Sequence, residues 1–363
     1  MRVHSHAGTG CLFAVLLFCA AVCLAQPGGE RIVPTDPLDS LLRAVSVDTG
    51  VSYRGLTLFP VRLRTQYSDL SVDTFDEAVR RGDLEVREVE NGEVGSVRVR
   101  NHGGRPVFIM AGEIMTGSRQ DRTARQDALI APNTGWVRIP VYCVEAGRWT
   151  QISPQFGSGK SLAGADLRLN AYAGETQQRI WEEVDRAAAA NSVTQSMGKP
   201  LQEVFSDEAV RRRLDEYSRG LAFDPGRDCV GLVTFSGTRV IAADLLATPA
   251  LFRELKDKLV RSYVISAGRT PSGWKDEPSA HDAARFLALA WSEGCRRIPV
   301  DSPGAGSFFR LQSTAGSASG GLLTYRTDAV HCALFPHSRP VPVPEPVPIP
   351  IPVPRPFQED GRR

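Results

Sequence analysis

The sequence predicts an α+β fold in one domain, with a β-rich N-terminal half, a helix-rich C-terminal half and a proline-rich C-terminal tail. In the first half, apolar and charged residues alternate in runs such as Ser96–Asn101, which is typical of half-buried strands. In the second half, apolar residues recur at helical spacing between residues 176 and 191. Runs of strands followed by mixed elements favour α+β over a doubly wound parallel sheet.

The elements of the first half follow from local signals. Residues 55–63 form an apolar strand pattern, and Thr74 is a suitable N-cap for a short helix that ends at Gly82. A turn at Gly103 and Gly104 separates two of the later strands. The other predicted strands lie at residues 84–90, 96–101, 106–113 and 137–143.

The elements of the second half include the helix at 176–191 and three further helices. The further helices are predicted from capping residues, which are Ser206, Thr248 before Pro249, and the pair Ser279 and Asp282. Residues 228–246 predict a hairpin that turns at Ser236 and Gly237. Strands near Phe308, Leu322 and Val330 complete the body.

The composition is that of a globular protein. The chain has 363 residues, of which 42% are hydrophobic and 23% charged, and these values exclude wholesale disorder. Its formal charge is only +2, which argues against a strongly basic nucleic-acid-binding protein. We therefore expect no nucleic-acid partner.

The N-terminus has the pattern of a secretory signal peptide. Residues 11–25 are apolar, follow the basic Arg2 and end in small residues, and they are fewer than the roughly 20 needed to span a bilayer. We expect cleavage after Ala25, export to the periplasm or the extracellular space, and no transmembrane span in the mature chain. Residues 26–50 are rich in Pro and Gly and are interpreted as a loose leader.

The C-terminal tail, residues 338–363, carries proline at every second position from Pro340 to Pro356. Proline fixes φ and lacks a backbone donor, so this segment is predicted to be an extended polyproline-type rod. It is interpreted either as a spacer or docking strip for an envelope protein, or as a solvated tail.

Sequence motifs of several common functional sites were sought in the chain. The segment FGSGKS at 156–161 is similar to a nucleotide phosphate loop, but Pro154 occupies the position of the required first glycine, so that site is excluded. The histidines after the signal show no ligand spacing, so no metal is expected. For the four cysteines of the mature chain, both buried thiols and disulfides remain open: Cys143, Cys229, Cys295 and Cys332. A role as a nucleophile is also considered for Cys143.

The densest polar cluster lies between two apolar strands, at residues 112–127. Arginine side chains bind carboxylate or phosphate in a bidentate manner, and glycine lets backbone donors approach a ligand. The segment is interpreted as an anion-binding loop, with a solvated, self-paired hairpin as the alternative. Its candidate residues are Glu113, Gly117, Arg119, Gln120 and Arg122. Both arginines are expected to be exposed, so that replacing either would spare the fold.

A second polar cluster follows the strand at 137–143 and contains Glu145, Arg148 and Trp149. Glu145 is suited to hold an arginine of the loop in place, while Trp149 would stack on a ligand or fill the core. We expect the two clusters to converge into one pocket. The ligand-binding candidates are then Glu113, Gly117, Arg119, Gln120, Arg122, Glu145, Arg148 and Trp149.

The order of these segments resembles a known family, the first type of the ARPP family. The resemblance covers residues 51–337 and is carried by GLTLFPV, TFDEAVRRGDLEVREV, MAGEIMTGSRQDRT, IPVYCVEAGRW, TQQRIWEEV, the segment from GLVTFSG to YVISA, and VHCALF. It implies one α+β domain and a core or site thiol at Cys143. The name of the family implies association with ADP-ribosylglycohydrolase and rhodanese-phosphatase genes, and it supplies motif positions without a catalytic set.

Two functions are compatible with these features. The first is an exported binding or scaffold module that takes an anionic small molecule or partner through the arginine-rich loop. The alternative is a hydrolase or transferase acting on an ADP-ribose-like or phosphorylated compound, with Glu113 or Glu145 as acid and base. The sequence identifies no cofactor. It leaves open both whether the chain is an enzyme and what its oligomeric state is.

Overall fold

A computed structural model describes residues 36–89, 93–148, 150–268, 277–291, 295–313 and 317–337. The expected signal peptide, the first ten residues of the expected leader, the proline-rich tail and Trp149 lie outside these ranges. By their internal contacts, the described residues from Asp36 to His337 belong to one compact unit.

The described residues contain helices and strands in both halves of the chain. The helices are α1 (Pro37–Ala44), α2 (Phe75–Arg81), α3 (Ala165–Ala173), α4 (Gln177–Asn191), α5 (Gln202–Ser206), α6 (Glu208–Gly220), α7 (Pro249–Ala267) and α8 (Ala280–Trp291). The strands of the first half are β1 (Val45–Val47), β2 (Val51–Tyr53), β3 (Leu56–Leu63), β4 (Asp73–Thr74), β5 (Leu84–Glu88), β6 (Ser96–Asn101), β7 (Val107–Ile109), β8 (Glu113–Gly117), β9 (Arg122–Ala124), β10 (Ala128–Ile130), β11 (Val137–Cys143) and β12 (Phe156–Leu162). The strands of the second half are β13 (Cys229–Ser236), β14 (Arg239–Leu246), β15 (Cys295–Val300), β16 (Ser307–Ser313), β17 (Ala318–Tyr325) and β18 (Asp328–Pro336).

The described strands form three sheets, and the fold is α+β. The largest sheet has the order β1-β3-β13-β14-β18-β17-β16-β15, with β2 also paired to β3. A second sheet has the order β12-β8-β9-β11-β6-β5, and a third the order β10-β7-β4. Pairing is antiparallel except between β4 and β7. Strands from both halves of the chain build the largest sheet, so β-structure is not confined to the N-terminal half.

The largest sheet has a hydrophobic core on each face. Because side chains alternate along a strand, Leu58 of β3 belongs to one core and the adjacent Phe59 to the other. Helices α3, α4, α6 and α7 cover the first face, and α1 and α8 cover the second. A third core joins α2 to the two smaller sheets and includes Phe75 and Val97.

Most of the predicted helix ends are confirmed. Thr74 forms a capping box with Glu77, and Gly82 ends α2 with a left-handed backbone at φ 78°. Thr248 caps α7 in front of Pro249. The prediction at Ser206 is wrong, because Ser206 ends α5 and Asp207 caps α6 by accepting from the amides of Ala209 and Val210. An aspartate is as good an N-cap as a serine, and here it is one residue nearer the helix.

Residues 36–50 differ from the loose leader expected over 26–50. Helix α1 occupies 37–44, capped by Asp36 and started by Pro37, which is favoured at the first helical position. Leu38 and Leu41 are fully buried in the core beside α8. The apolar face of α1 therefore anchors this helix in the core, although the residues just before it are rich in proline and glycine.

Within the part of the chain that the structure describes, no helix is both long enough and apolar enough to cross a membrane. The four cysteines among the described residues, whose pairing the sequence left open, are free thiols: Cys143, Cys229, Cys295 and Cys332.

Candidate functional site

Antiparallel pairing brings the two predicted polar clusters together. β8 and β9 pair on either side of the loop at 118–121, and β11 pairs with β9 so that Cys143 lies opposite Arg122. The turn after β11 therefore lies beside the loop. This register brings four of the predicted residues together: Gly117, Gln120, Glu145 and Arg148.

Glu145 is the centre of this cluster, which we call the Glu145 cluster. Its Oε2 accepts from the amide of Asp121 at 2.9 Å and from Arg148 Nη2 at 2.6 Å, and its Oε1 accepts from Arg148 Nε at 2.7 Å. Gln120 donates Nε2 to the carbonyl of Glu145 at 2.8 Å. Glu145 thus holds Arg148 of its own turn, rather than an arginine of the loop.

Asp121 completes the Glu145 cluster and was not among the predicted site residues. Its Oδ1 accepts from the amide of Gly117 at 3.0 Å and lies 3.2 Å from Arg148 Nη2. Burial raises the pKa of Asp121 to about 6. Gly117 has φ 116°, and a Cβ there would lie 2.6 Å from Ser153 Oγ, so this turn requires glycine.

Glu113 belongs to a different cluster. It begins β8, is 1% exposed, and accepts from Lys258 Nζ of α7 at 2.7 Å. Lys258 lies at the same distance from Asp76 of α2. Burial raises the pKa of Glu113 to about 7, although Lys258 opposes this. Glu113 is therefore committed to Lys258 rather than to the Glu145 cluster.

The two loop arginines have opposite environments. Arg119 is 42% exposed and lies 3.5 Å from Glu88. Arg122 is 2% exposed and donates Nη1 to the carbonyl of Gln120 at 3.4 Å and to Gln120 Oε1 at 3.2 Å. The expectation that both arginines are exposed is wrong for Arg122, because its strand β9 lies between β8 and β11.

This difference predicts unequal effects of substitution. Arg122→Ala is expected to lower the free energy of unfolding by about 1–2 kcal/mol, because it leaves buried acceptors unsatisfied. Arg119→Ala, the matched control from the same loop, is expected to cost less than about 1 kcal/mol. Urea denaturation of both variants measures the difference. Equal losses would contradict the assignment of Arg122 to the interior.

The Glu145 cluster borders an open groove of about 890 Å³. Asp121, Glu145 and Arg148 line it, and the guanidinium of Arg148 is already bonded to both carboxylates. Its charges are thus internally compensated, which corresponds to the self-paired alternative of the sequence analysis. The cluster positions the loop and offers an anion no free guanidinium group.

Cys143 is held in the core rather than activated. Burial raises the pKa of its thiol, and Sγ lies 3.0 Å from the carbonyl of Glu145. Gln177 of α4 bonds the amide and the carbonyl of Cys143 at 2.9 and 2.8 Å. A thiol with a raised pKa is a poor nucleophile near neutral pH, so the geometry favours a structural role.

A second cleft, which we call the arginine cleft, lies where β11, β16 and α3 meet. Its volume is about 500 Å³. Its lining includes Tyr172 and Phe308, whose rings stack with centroids 5.9 Å apart. Three arginines line it: Arg125, which directly follows β9, Arg138 of β11 and Arg310 of β16.

Two of these arginines converge at Gly174, just after α3. A Cβ on Gly174 would lie 2.9 Å from Arg125 Nη2 and 2.8 Å from Arg310 Nη2, so the two guanidinium groups are neighbours. Over the described ranges, neither has a carboxylate within 4.0 Å. Arg310 Nε is buried and has no hydrogen-bond partner there. Arg138, in contrast, pairs with Glu93 at 2.5 Å.

A fully buried polar network lies beneath the arginine cleft. His331 of β18 contacts Asp127 Oδ2 through Nδ1 at 2.7 Å and Asp244 Oδ1 through Nε2 at 2.9 Å. Asp244 also accepts from Arg168 at 2.5 and 3.1 Å and from the hydroxyl of Tyr263 at 2.5 Å. The four charged side chains are 0% exposed.

The charge state of this network follows from its geometry. Both nitrogens of His331 face carboxylates, so both carry protons and the imidazole is an imidazolium. Burial opposes this charge, but Asp127 and Asp244 outweigh it and raise the pKa of His331 to about 9. Burial likewise opposes the charge of Asp244, and Arg168 and His331 hold the pKa of that carboxyl well below its usual range.

Sequence reasoning found His331 and Arg125 but not their partners. His331 was interpreted as a satisfied core or edge histidine, and Arg125 was part of the polar loop without being a candidate ligand. The sequence does contain a signal for the buried partners, which is a charged residue inside an apolar run, such as Asp244 in VIAADLL. Such a residue must find a buried partner. The sequence does not say which one.

Comparison with known proteins identifies the family of the chain. No curated protein and no solved structure matches the chain significantly. Among the described side chains, no group of three or more His, Cys, Asp or Glu is arranged to hold a metal ion. The model of the ARG and Rhodanese-Phosphatase-superfamily-associated Protein domain, ARPP-1, matches residues 44–335 and so covers β1 to β17 together with most of β18. The chain therefore belongs to the ARPP-1 family.

Proposed function

We propose that the chain is a binding module for a small anionic ligand, and that the ligand lies in the arginine cleft. The observation that carries the proposal is the pair of neighbouring guanidinium groups at Gly174, Arg125 and Arg310, without a carboxylate partner among the described residues. The loop at 112–127 thus contributes to the site through Arg125, rather than through Arg119 or Arg122.

Electrostatics favour an anion between these two side chains. Like charges in contact disfavour each other, and the penalty grows as solvent is excluded. A carboxylate or phosphate bridging the two groups would remove that repulsion and accept several charge-assisted hydrogen bonds. The buried Nε of Arg310 supplies one of the donors that such an anion would satisfy.

The shape of the cleft sets the size of the ligand. Its volume of about 500 Å³ lies within the usual range of small-molecule sites. Ile139, Val300 and the Tyr172–Phe308 pair give one side of the cleft an apolar surface. The cleft therefore suits an anion that carries an apolar or planar body better than a bare ion.

The ends of the chain would place this module outside the cytoplasm. The apolar run at 11–25 supports export to the periplasm or beyond, and the alternating prolines of 340–356 support a spacer or docking strip for an envelope protein. In this proposal, the ARPP-1 domain binds the ligand and the tail extends from it.

Calorimetric titration with inorganic phosphate, citrate and ADP-ribose tests the arginine cleft. Arg310→Gln is expected to weaken the tightest of these interactions by about tenfold or more, because it removes one of the two unpaired charges. Arg296→Gln is the matched control, since Arg296 is exposed on the neighbouring strand β15 and does not line the cleft. Equal affinities in the two variants, or no binding by the wild type, would reject the proposal.

One observation favours the alternative, a hydrolase or transferase with Glu113 as acid and base. Burial raises the pKa of Glu113 to about 7, which is suited to proton transfer near neutral pH. Against this, Glu113 is 1% exposed behind Lys258, and Glu145 is committed to Arg148. Product formation from ADP-ribose during the titration, lost in Glu113→Gln, would favour the enzyme.

A further inference from the structure

The segment FGSGKS forms one wall of a separate pocket. As the sequence analysis concluded, it is not a nucleotide phosphate loop: it forms strand β12 and does not lead directly into a helix. Its pairing with β8 is irregular between Ser158 and Leu162, and Lys160 has a left-handed backbone at φ 52°. The amide of Lys160 donates to Ser158 Oγ at 2.9 Å, which stabilises this bulge.

This pocket has a volume of about 430 Å³ and is lined by cations from three elements. They are Lys160 of β12, Arg211 of α6, and Lys258 and Arg261 of α7. Arg261 pairs with Asp215, the carboxylate residue of the lining. Lys160 and Arg211 are exposed and form no ion pair within the described part of the chain. We call this the basic pocket.

Lys258 also lines the basic pocket, but two carboxylates hold it. The residue is 8% exposed, and its Nζ lies 2.7 Å from both Glu113 and Asp76. Burial opposes its charge, but these two carboxylates outweigh burial and raise the pKa of Lys258. Lys258 is thus a positioned cation whose charge Glu113 and Asp76 already compensate, so the available charges of the basic pocket are those of Lys160 and Arg211.

Gln202 adds an unsatisfied acceptor to the same wall. Its Nε2 donates to the carbonyl of Gly159 at 3.2 Å, which fixes the orientation of the amide. Its buried Oε1 has no hydrogen-bond partner among the described residues. A hydroxyl or a protonated phosphate oxygen would satisfy Oε1, whereas a fully deprotonated anion would not.

We propose that the basic pocket binds the phosphate group of a small phosphorylated molecule, at a site separate from the arginine cleft. Lys160 and Arg211, which have no carboxylate partner among the described residues, are the donors that the phosphate would engage. Both side chains line one cavity and come from elements that are distant in sequence, an arrangement that scattered surface charges do not share. This site does not depend on the arginine cleft, which shares none of its lining residues.

The test uses the full chain with Arg310→Gln, so that the arginine cleft is weakened. Binding of inorganic phosphate and of glycerol 3-phosphate is followed by ³¹P NMR titration. Arg211→Gln combined with Lys160→Asn is expected to weaken binding by about tenfold or more. Asparagine is chosen at position 160 because it tolerates a left-handed backbone. Tighter binding of glycerol 3-phosphate than of phosphate would identify an ester as the ligand, and the reverse order would identify free phosphate.

The matched control is Arg212→Gln in the same background. Arg212 is adjacent to Arg211, but it pairs with Glu208 and does not line the basic pocket. Its affinity for phosphate is expected to stay within twofold of the background. Equal losses in both variants, or no binding of either probe in the Arg310→Gln chain, would overturn the basic pocket. An unchanged affinity for both probes on introducing Arg310→Gln alone would support their binding at the basic pocket rather than at the arginine cleft.

Discussion

Asp244→Asn is expected to lower the free energy of unfolding by about 3–5 kcal/mol, the usual cost of breaking a buried ion pair. Asp244 is fully buried and contacts Arg168, His331 and Tyr263. The amide has nearly the same shape, so packing is retained. It removes the negative charge, however, and leaves two buried cations with Asp127 as their remaining carboxylate in the network.

Urea denaturation at pH 7 measures this loss. The matched control is Asp215→Asn, because Asp215 is exposed on α6 and pairs with an exposed partner, Arg261. That change is expected to cost less than about 1 kcal/mol. A loss at Asp244 as small as the loss at Asp215 would show that the buried network does not hold charged groups.

The network connects elements that belong to different layers. Arg168 lies on α3, Asp244 on β14 and His331 on β18, while Asp127 directly precedes β10 of the smallest sheet. Asp127 also accepts from the amide of Ala111 and from the hydroxyl of Tyr172, each at 2.8 Å. Two cations face two carboxylates, so the charges balance. We therefore expect the network to specify how the smallest sheet packs on the largest, because an apolar contact would select its partner less strictly.

Local signals in the sequence were sufficient for most of the fold. Thr74, Gly82 and Thr248 mark helix ends because a capping side chain or a left-handed glycine acts within one turn. The same locality explains the two errors. Asp207 and Ser206 are adjacent, and both residue types are suited to cap α6, so the local pattern does not decide between them. Helix α1 follows a segment rich in proline and glycine, which masks the start signal at Asp36 and Pro37.

The candidate site was predictable only in part, because partner choice is not local. The convergence of Gln120 and Glu145 follows from neighbouring strands. In contrast, Glu113 finds its partner Lys258 145 residues further along the chain. Arg125, which follows β9, lies near Gly174 together with Arg310 of the largest sheet. The sequence shows that a buried charge needs a partner of opposite sign. The topology decides which side chain that is.

The stability of the chain is expected to fall as the pH rises from 7 to 9, because the folded state holds a proton on His331 that the unfolded state releases. The pKa of His331 is about 9 in the folded chain, above its ordinary value of 6.5. Its contribution, about 3 kcal/mol in all, is fully present below pH 6.5 and is lost as the pH rises through 9.

The window from pH 7 to 9 isolates this group. Glu113 and Asp121 also have raised pKa values, of about 7 and 6, so their contributions are largely lost by pH 7. The thiols of the unfolded chain have an ordinary pKa of 9.0, so their effect begins at the upper end of the window. Unfolding free energies from urea titrations at pH 7, 8 and 9 are expected to fall by about 2 kcal/mol. A constant or rising stability would mean that His331 is neutral in the core. One of its two carboxylates would then have to be protonated, because both ring nitrogens face carboxylate oxygens.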